Sequence, residues 1–106
     1  MDIKVESQGD TITVRIKGKI TFECCPELQK SLDSALKDGI REVRIDFREV
    51  PFIDSSGVGE VLRLFKRLRE TGGSLLLMNP NKKLRDLFLM YRLDKFMKII
   101  DETEPE

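Results

Sequence analysis

The chain contains no histidine. General acid–base catalysis near neutral pH therefore lacks its commonest side chain, and a Ser-His-Asp triad cannot be assembled. Cysteine is confined to one adjacent pair, Cys24 and Cys25. A disulfide between neighbours is strained and a single pair cannot staple a secreted framework, so two reduced thiols in a reducing compartment are expected. They are read as small apolar side chains packed ahead of a helix. Without histidine or a second cysteine pair, no metal ligand set is expected. An excess of either charge is also missing, because 19 Lys and Arg balance 19 Asp and Glu. No net field draws the whole chain to nucleic acid or to an anionic membrane. The opening "MDIKVESQGD" has neither a basic nor an apolar signal region, and no apolar run is long enough to span a bilayer. The expectation is a soluble cytoplasmic protein, with no membrane partner and no direct nucleic-acid partner.

What is present is a regular alternation of short patterns. With 106 residues, 40% of them hydrophobic, the chain suits one domain over residues 1–100, followed by an acidic tail at 101–106 with nothing to bury. Ile3 and Val5, then Ile12, Val14 and Ile16, alternate with polar neighbours on either side of the turn-like "QGD", which predicts a hairpin. Pro26 opens a helix to Lys37 with Leu28, Leu32, Ala35 and Leu36 inward and Gly39 as its cap. "EVRIDF" alternates as a third strand. From Ser56 the period becomes helical, with Val58, Val61, Leu62, Phe65 and Leu68 as the apolar stripe. "SLLLM" reads as a central strand, and Asn79–Pro80 as the start of a third helix with Leu84, Leu87, Phe88 and Tyr91 inward. "FMKII" supplies a short last strand. The fold class is α/β with right-handed crossovers, built by adding strands in sequence. The first three strands each carry a polar face, which places the helices on one side of a mixed sheet.

Familiar catalytic motifs are not found. "GVG" has no Lys-Ser/Thr ending for a P-loop, and "SSGVG" lacks the glycine that precedes the serine of a nucleophile elbow. Asp46 and Asp54 read as ordinary solvated carboxylates in place of a metal pair. No cofactor is called for.

The informative stretch is "FIDSSGVGEV", residues 52–61. Asp54, Ser55 and Ser56 end an apolar segment just where the next helix begins and its first N–H groups need partners. One of them serves as an N-cap, contributing about 1 kcal/mol. Capping does not account for two serines followed by Gly57 and Gly59, since glycine weakens a helix by up to about 1 kcal/mol relative to alanine. A bare, hydroxyl-bearing helix entrance admits close approach by a partner or an anion. Close packing against the rest of the fold is the alternative.

"FIDSSGVGEVLRLFKRLRETGGSLLLMN", with the earlier "VRIKGKI" and the later "LRDLFLMYRLDKFMKI" in the same order, resembles the STAS family and in particular the bacterial anti-sigma factor antagonists. The resemblance implies a single-domain β/α superhelix and a binding switch in place of an enzyme. Such an antagonist sequesters an anti-sigma factor that is also a serine kinase, freeing a sigma factor. Phosphorylation by the kinase releases it, and a phosphoserine phosphatase restores it. The acceptor in the family follows the aspartate and corresponds to Ser55. The contact surface is expected to span Asp54, Ser55, Ser56 and Gly57 and to reach Glu60, Arg63 and Leu64 on the exposed side of the helix. Ser56 is assigned to capping or helix entry, and Gly57 to the approach of the partner. Two positions depart from the pattern: Thr21 stands where many members carry an acid, and Arg92 where many carry glycine. The alternatives are a STAS scaffold or subunit of a stress-signalling or lipid-transport complex, and a small-molecule or enzymatic domain using the helix entrance as an anion site.

Overall fold

The computed structural model describes residues 1–102. Strands β1 (Asp2–Gln8) and β2 (Thr11–Lys17) form an antiparallel hairpin closed by Gly9 and Asp10, with Gly9 in the left-handed region at φ +63°. Helix α1 (Cys25–Ala35) follows, entered through a short 3-10 turn at Phe22–Cys24. Then come β3 (Glu42–Glu49), α2 (Ser55–Glu70), β4 (Ser74–Met78), α3 (Lys82–Met90), a second 3-10 turn at Leu93–Lys95, and β5 (Lys98–Ile100). The sheet order is β1-β2-β3-β4-β5, with every pairing after the hairpin parallel. Strands are added in sequence, as the alternation predicts.

Period-2 alternation decides which face is covered. Ile12, Val14 and Ile16 on β2, Val43, Ile45 and Phe47 on β3, and Leu75 and Leu77 on β4 are buried in one cluster. Leu28 and Leu32 of α1, Val58, Val61, Leu64 and Leu68 of α2, and Leu84 and Phe88 of α3 join that same cluster. Phe47 and Phe88 meet with ring centroids 5.2 Å apart. Residues pointing the other way on β2 and β3, among them Thr13, Arg15, Arg44 and Asp46, remain partly or fully accessible. The helices thus share one face of the sheet, and the other is polar on β2 and β3 but apolar on β4 and β5, where Leu76, Met78 and Ile100 lie beside Arg44 and Asp46.

Several boundaries and faces differ from the sequence reading. Helix α1 ends at Ala35 rather than Lys37, because Leu36 turns extended at ψ 97°; Gly39, at φ +91°, serves the following turn and not the cap. The buried face of α2 includes Leu64, at 0% exposure, while Leu62 and Phe65 sit at its margin. Leu64 is therefore a core residue and has no side-chain surface to offer a partner. Helix α3 starts later than Asn79–Pro80, at an Asn81 cap whose side chain accepts from Leu84 N–H at 2.9 Å, and Tyr91 falls beyond its end with 43% exposure.

In the final strand only Lys98–Ile100 pair; Phe96 lies outside, against the Phe65 ring at 5.8 Å. Asp101 and Glu102, expected to fray with the tail, are tied down: Arg85 pairs with Asp101, and Glu102 N–H donates to Asn79 Oδ1 at 2.7 Å. The rest of the tail, 103–106, lies outside the described residues. Arg92 keeps the left-handed conformation, φ +61°, that a glycine would adopt freely.

Candidate functional site

Past the C-terminal ends of β2 and β3 the two chains stay together through one more parallel bridge, Ile20 to Ile53. Ile20 N–H donates to the Phe52 carbonyl at 2.9 Å, and Asp54 N–H donates to the Ile20 carbonyl at 3.1 Å. Both isoleucines point into the core. By strand alternation Phe52 and Asp54 point the opposite way, and Asp54 reaches the loop that carries Phe22.

Asp54 is the N-cap of α2. Its Oδ1 accepts from Gly57 N–H at 3.0 Å, satisfying a helix-end donor, while Oδ2 accepts from Phe22 N–H at 3.0 Å. The two oxygens of one carboxylate thus pin the helix entrance to the loop before α1. The sequence reading placed Asp54 on the contact surface; in the fold its oxygens are turned to internal backbone donors. Capping falls to Asp54 and not to Ser56, which is half-buried at the second helical position, whereas Ser55 is exposed at the first.

The two glycines have opposite surroundings. A Cβ on Gly57 would lie 2.5 Å from Ile53 Cγ1 and 2.8 Å from Ile20 Cγ2, so hydrogen is the only side chain that lets α2 settle on the Ile20–Ile53 bridge. Internal packing, and not the approach of a partner, accounts for Gly57. A Cβ on Gly59 meets nothing within 4 Å, and the residue is exposed.

Glu60 and Arg63, expected to face outward, lie instead along the seam between α1 and α2. Arg63 Nε donates to Glu60 Oε1 at 3.0 Å, and Arg63 Nη1 donates to Asp33 Oδ1 on α1 at 3.0 Å; Arg67 also donates to that oxygen. The Glu60 and Arg63 side chains are only 15% and 26% exposed. Burial pulls the Arg63 pKa down, but hydrogen bonds and charge from Glu60 and Asp33 more than offset it and leave it raised. The pairing was not legible in the sequence, since Asp33 and Arg63 are brought together only when α1 and α2 pack.

The cysteines are free thiols just before and at the start of α1. Cys24 Sγ accepts from Thr21 N–H at 3.1 Å, so it holds the loop as well as filling space. Burial pushes the Cys25 thiol up, and Glu60, Cys24 and Asp54 push it the same way. That keeps it protonated and a poor nucleophile. Among the described residues no group of three or more His, Cys, Asp or Glu side chains is placed to hold a metal ion, and no helix is long and apolar enough to cross a membrane.

What converges at this corner is an exposed serine on a helix entrance, with its neighbouring carboxylate committed to the backbone and two aromatic side chains left in solvent, Phe22 at 72% and Phe52 at 47% exposure. The Ser55 residue at this entrance is open to solvent.

Comparison with known proteins bears on the family and the fold. The chain is similar to the anti-sigma-B factor antagonist of Bacillus subtilis, with 30% identity over 104 residues, covering 98% of this chain and 94% of that protein. It is also similar to a Bacillus cell fate determinant, SpoIIAA, solved in its phosphorylated form, at 26% identity and a TM-score of 0.78 over 97% of this chain and 93% of that one. A putative anti-sigma factor antagonist from Thermotoga maritima shares the fold, with a TM-score of 0.86 over 95% of this chain and 86% of that one at 20% identity. The STAS domain profile matches residues 2–105, nearly the whole length. With sequence and fold in agreement, the chain belongs to the STAS domain family.

Proposed function

We propose that this protein is an anti-sigma factor antagonist working in the cytoplasm, a binding switch without catalytic activity of its own. In its unmodified form it sequesters an anti-sigma factor that is also a serine kinase, and so frees a sigma factor. That kinase phosphorylates Ser55, and a phosphoserine phosphatase restores the hydroxyl. The observation carrying this reading is the exposed Ser55 at the first position of α2, directly after the aspartate that caps the helix. The names of the relatives and the phosphorylated form of the Bacillus neighbour support it.

Phosphate on Ser55 adds about −1.5 to −2 charge, placed at the positive end of the α2 dipole. The fold tolerates that charge. A partner fitted to a neutral hydroxyl does not, because closing over a dianion beside Asp54 requires desolvating it. Incubation with a purified serine-kinase anti-sigma factor and ATP should place one phosphate on Ser55, by intact mass and site mapping, and Ser55→Ala should abolish it. The phosphorylated protein should keep its melting temperature and circular dichroism while losing affinity for the kinase. Phosphate on Ser56, or a modified protein that unfolds, overturns the assignment. A chain that binds the kinase but is never labelled is a STAS scaffold.

A further inference from the structure

We propose that β1 is a self-pairing edge, to which a second copy of this chain adds antiparallel about a two-fold axis at Val5, continuing the sheet from one protomer into the other. Strand β1 carries none of the residues of the α2 entrance, so this reading and the antagonist reading stand or fall separately. Hydrogen-bond phase and charge both select the pairing.

Strand β1 is outermost in the sheet and pairs only with β2 among the described residues; every residue from Lys4 to Gln8 is exposed, Val5 at 44%. The turn that joins the two strands is Gly9 and Asp10, which makes Gln8 and Thr11 a hydrogen-bonded pair. Alternation from that pair gives Glu6, Lys4 and Asp2 the bonds to β2, and turns the N–H and C=O groups of Ser7, Val5 and Ile3 toward the open edge. Pairing with β2 runs from Asp2 to Gln8 without a bulge, and the strand holds no proline, so two common devices that spoil an edge are missing from it. An antiparallel copy centred on Val5 sets Val5 against Val5 and Ile3 against Ser7. Each outward backbone group then meets an outward group, whereas a shift of one residue sets outward groups against groups already bonded to β2.

The same register places Lys4 opposite Glu6 of the second copy, and Glu6 opposite its Lys4, on the face of the sheet that the helices leave open. Within one copy Lys4 stands across from Arg15, a like charge, and makes no ion pair among the described residues, while Glu6 reaches Arg15 at 3.6 Å. The second copy supplies the counterion that Lys4 lacks. Registers two residues to either side, centred on Lys4 or on Glu6, bring Lys4 against Lys4 or Glu6 against Glu6, and directly opposed like charges destabilise a strand pair. A lysine on an edge strand ordinarily repels other chains. With Glu6 two residues on, it discriminates in favour of a copy of itself. On the helix-covered face the exposed Val5 side chain packs beside its own counterpart at the axis. The contact is isologous and closes with two copies.

The test is sedimentation equilibrium of the full chain in low-salt buffer, where the parent should show a reversible monomer–dimer equilibrium. Val5→Pro removes an outward N–H that β2 does not use, and should raise the dimer dissociation constant by about tenfold or more. Lys4→Glu and Glu6→Lys, each alone, should do the same, because each sets like charges opposite one another. Mixing these two charge variants should restore pairing as a heterodimer, since every opposed pair is then of opposite sign. Circular dichroism of the separate variants should match the parent, and the rescue by mixing shows independently that both remain folded. A parent that stays monomeric at every concentration overturns the proposal. So does a dimer that Lys4→Glu and Glu6→Lys leave intact, which would use another face, and so does a mixture in which the two variants fail to pair.

Discussion

Replacing Gly57 and Gly59 by alanine, one at a time, should move stability in opposite directions, although the substitutions are chemically identical and two residues apart in one helix. At Gly59 the added methyl meets open space. Only helix propensity and unfolded-state entropy change, and the expected gain is roughly 0.5–1 kcal/mol. At Gly57 the same gain is opposed by contacts of 2.5 Å and 3.0 Å with Ile53 and 2.8 Å with Ile20. Those side chains are buried, at 3% and 1% exposure, and cannot swing into solvent. Either they leave their rotamers or α2 lifts off the bridge. Overpacking costs roughly 1–3 kcal/mol, and two contacts under 3.0 Å with buried side chains put this site toward the upper end, about 2–3 kcal/mol, which outweighs the propensity gain and leaves a net loss of about 1–2 kcal/mol. At about 4 °C or slightly more per kcal/mol for a domain of this size, the two variants should melt roughly 6–12 °C apart, on either side of the parent. Urea denaturation with unchanged m-values checks that parent and variants expose the same surface on unfolding, so that the midpoints compare stabilities directly. Gly57→Ala melting with or above the parent would refute the packing argument, and a destabilised Gly59→Ala would show that the turn is not open.

Asp54→Asn keeps one cap oxygen but gives up the charged link to Phe22 N–H, so it should cost about 1 kcal/mol; Asp54→Ala loses both bonds and should cost about 2 kcal/mol or more. Asp54→Asn matching the parent in chemical denaturation would show that the second oxygen contributes nothing, and equal stabilities for the two variants would show the same of the cap bond. Arg92→Gly should raise stability by roughly 0.5–1 kcal/mol, because it relieves a side chain held at φ +61° just past the end of α3. A lower melting temperature for that variant would mean that the Arg92 side chain contributes more than its backbone costs.

The local pattern of residues determined a good deal. Alternation of Ile12, Val14, Ile16 with Thr13 and Arg15, and of Val43, Ile45, Phe47 with Arg44 and Asp46, is a property of neighbouring residues, and it placed the strands and the covered face of the sheet. Asp-Ser-Ser-Gly before an amphipathic run located the helix entrance for the same reason, since capping is decided within three or four residues. What the pattern leaves open is the exact rotation of a helix whose apolar stripe is wide. Leu62, Leu64 and Phe65 of α2 are all apolar, and only the packing of α2 between the sheet and α1 buries Leu64 completely and leaves the other two at the margin. The same packing turns Glu60 and Arg63 from a free surface into a seam closed by Asp33, thirty positions away in the chain. The two glycines show the limit most sharply. As letters they are equivalent, yet the Ile20–Ile53 bridge forbids a side chain at Gly57 while solvent permits one at Gly59. A steric contact between residues distant in sequence is a property of the assembled fold, so only the tertiary structure could say which glycine is required by the core and which is not.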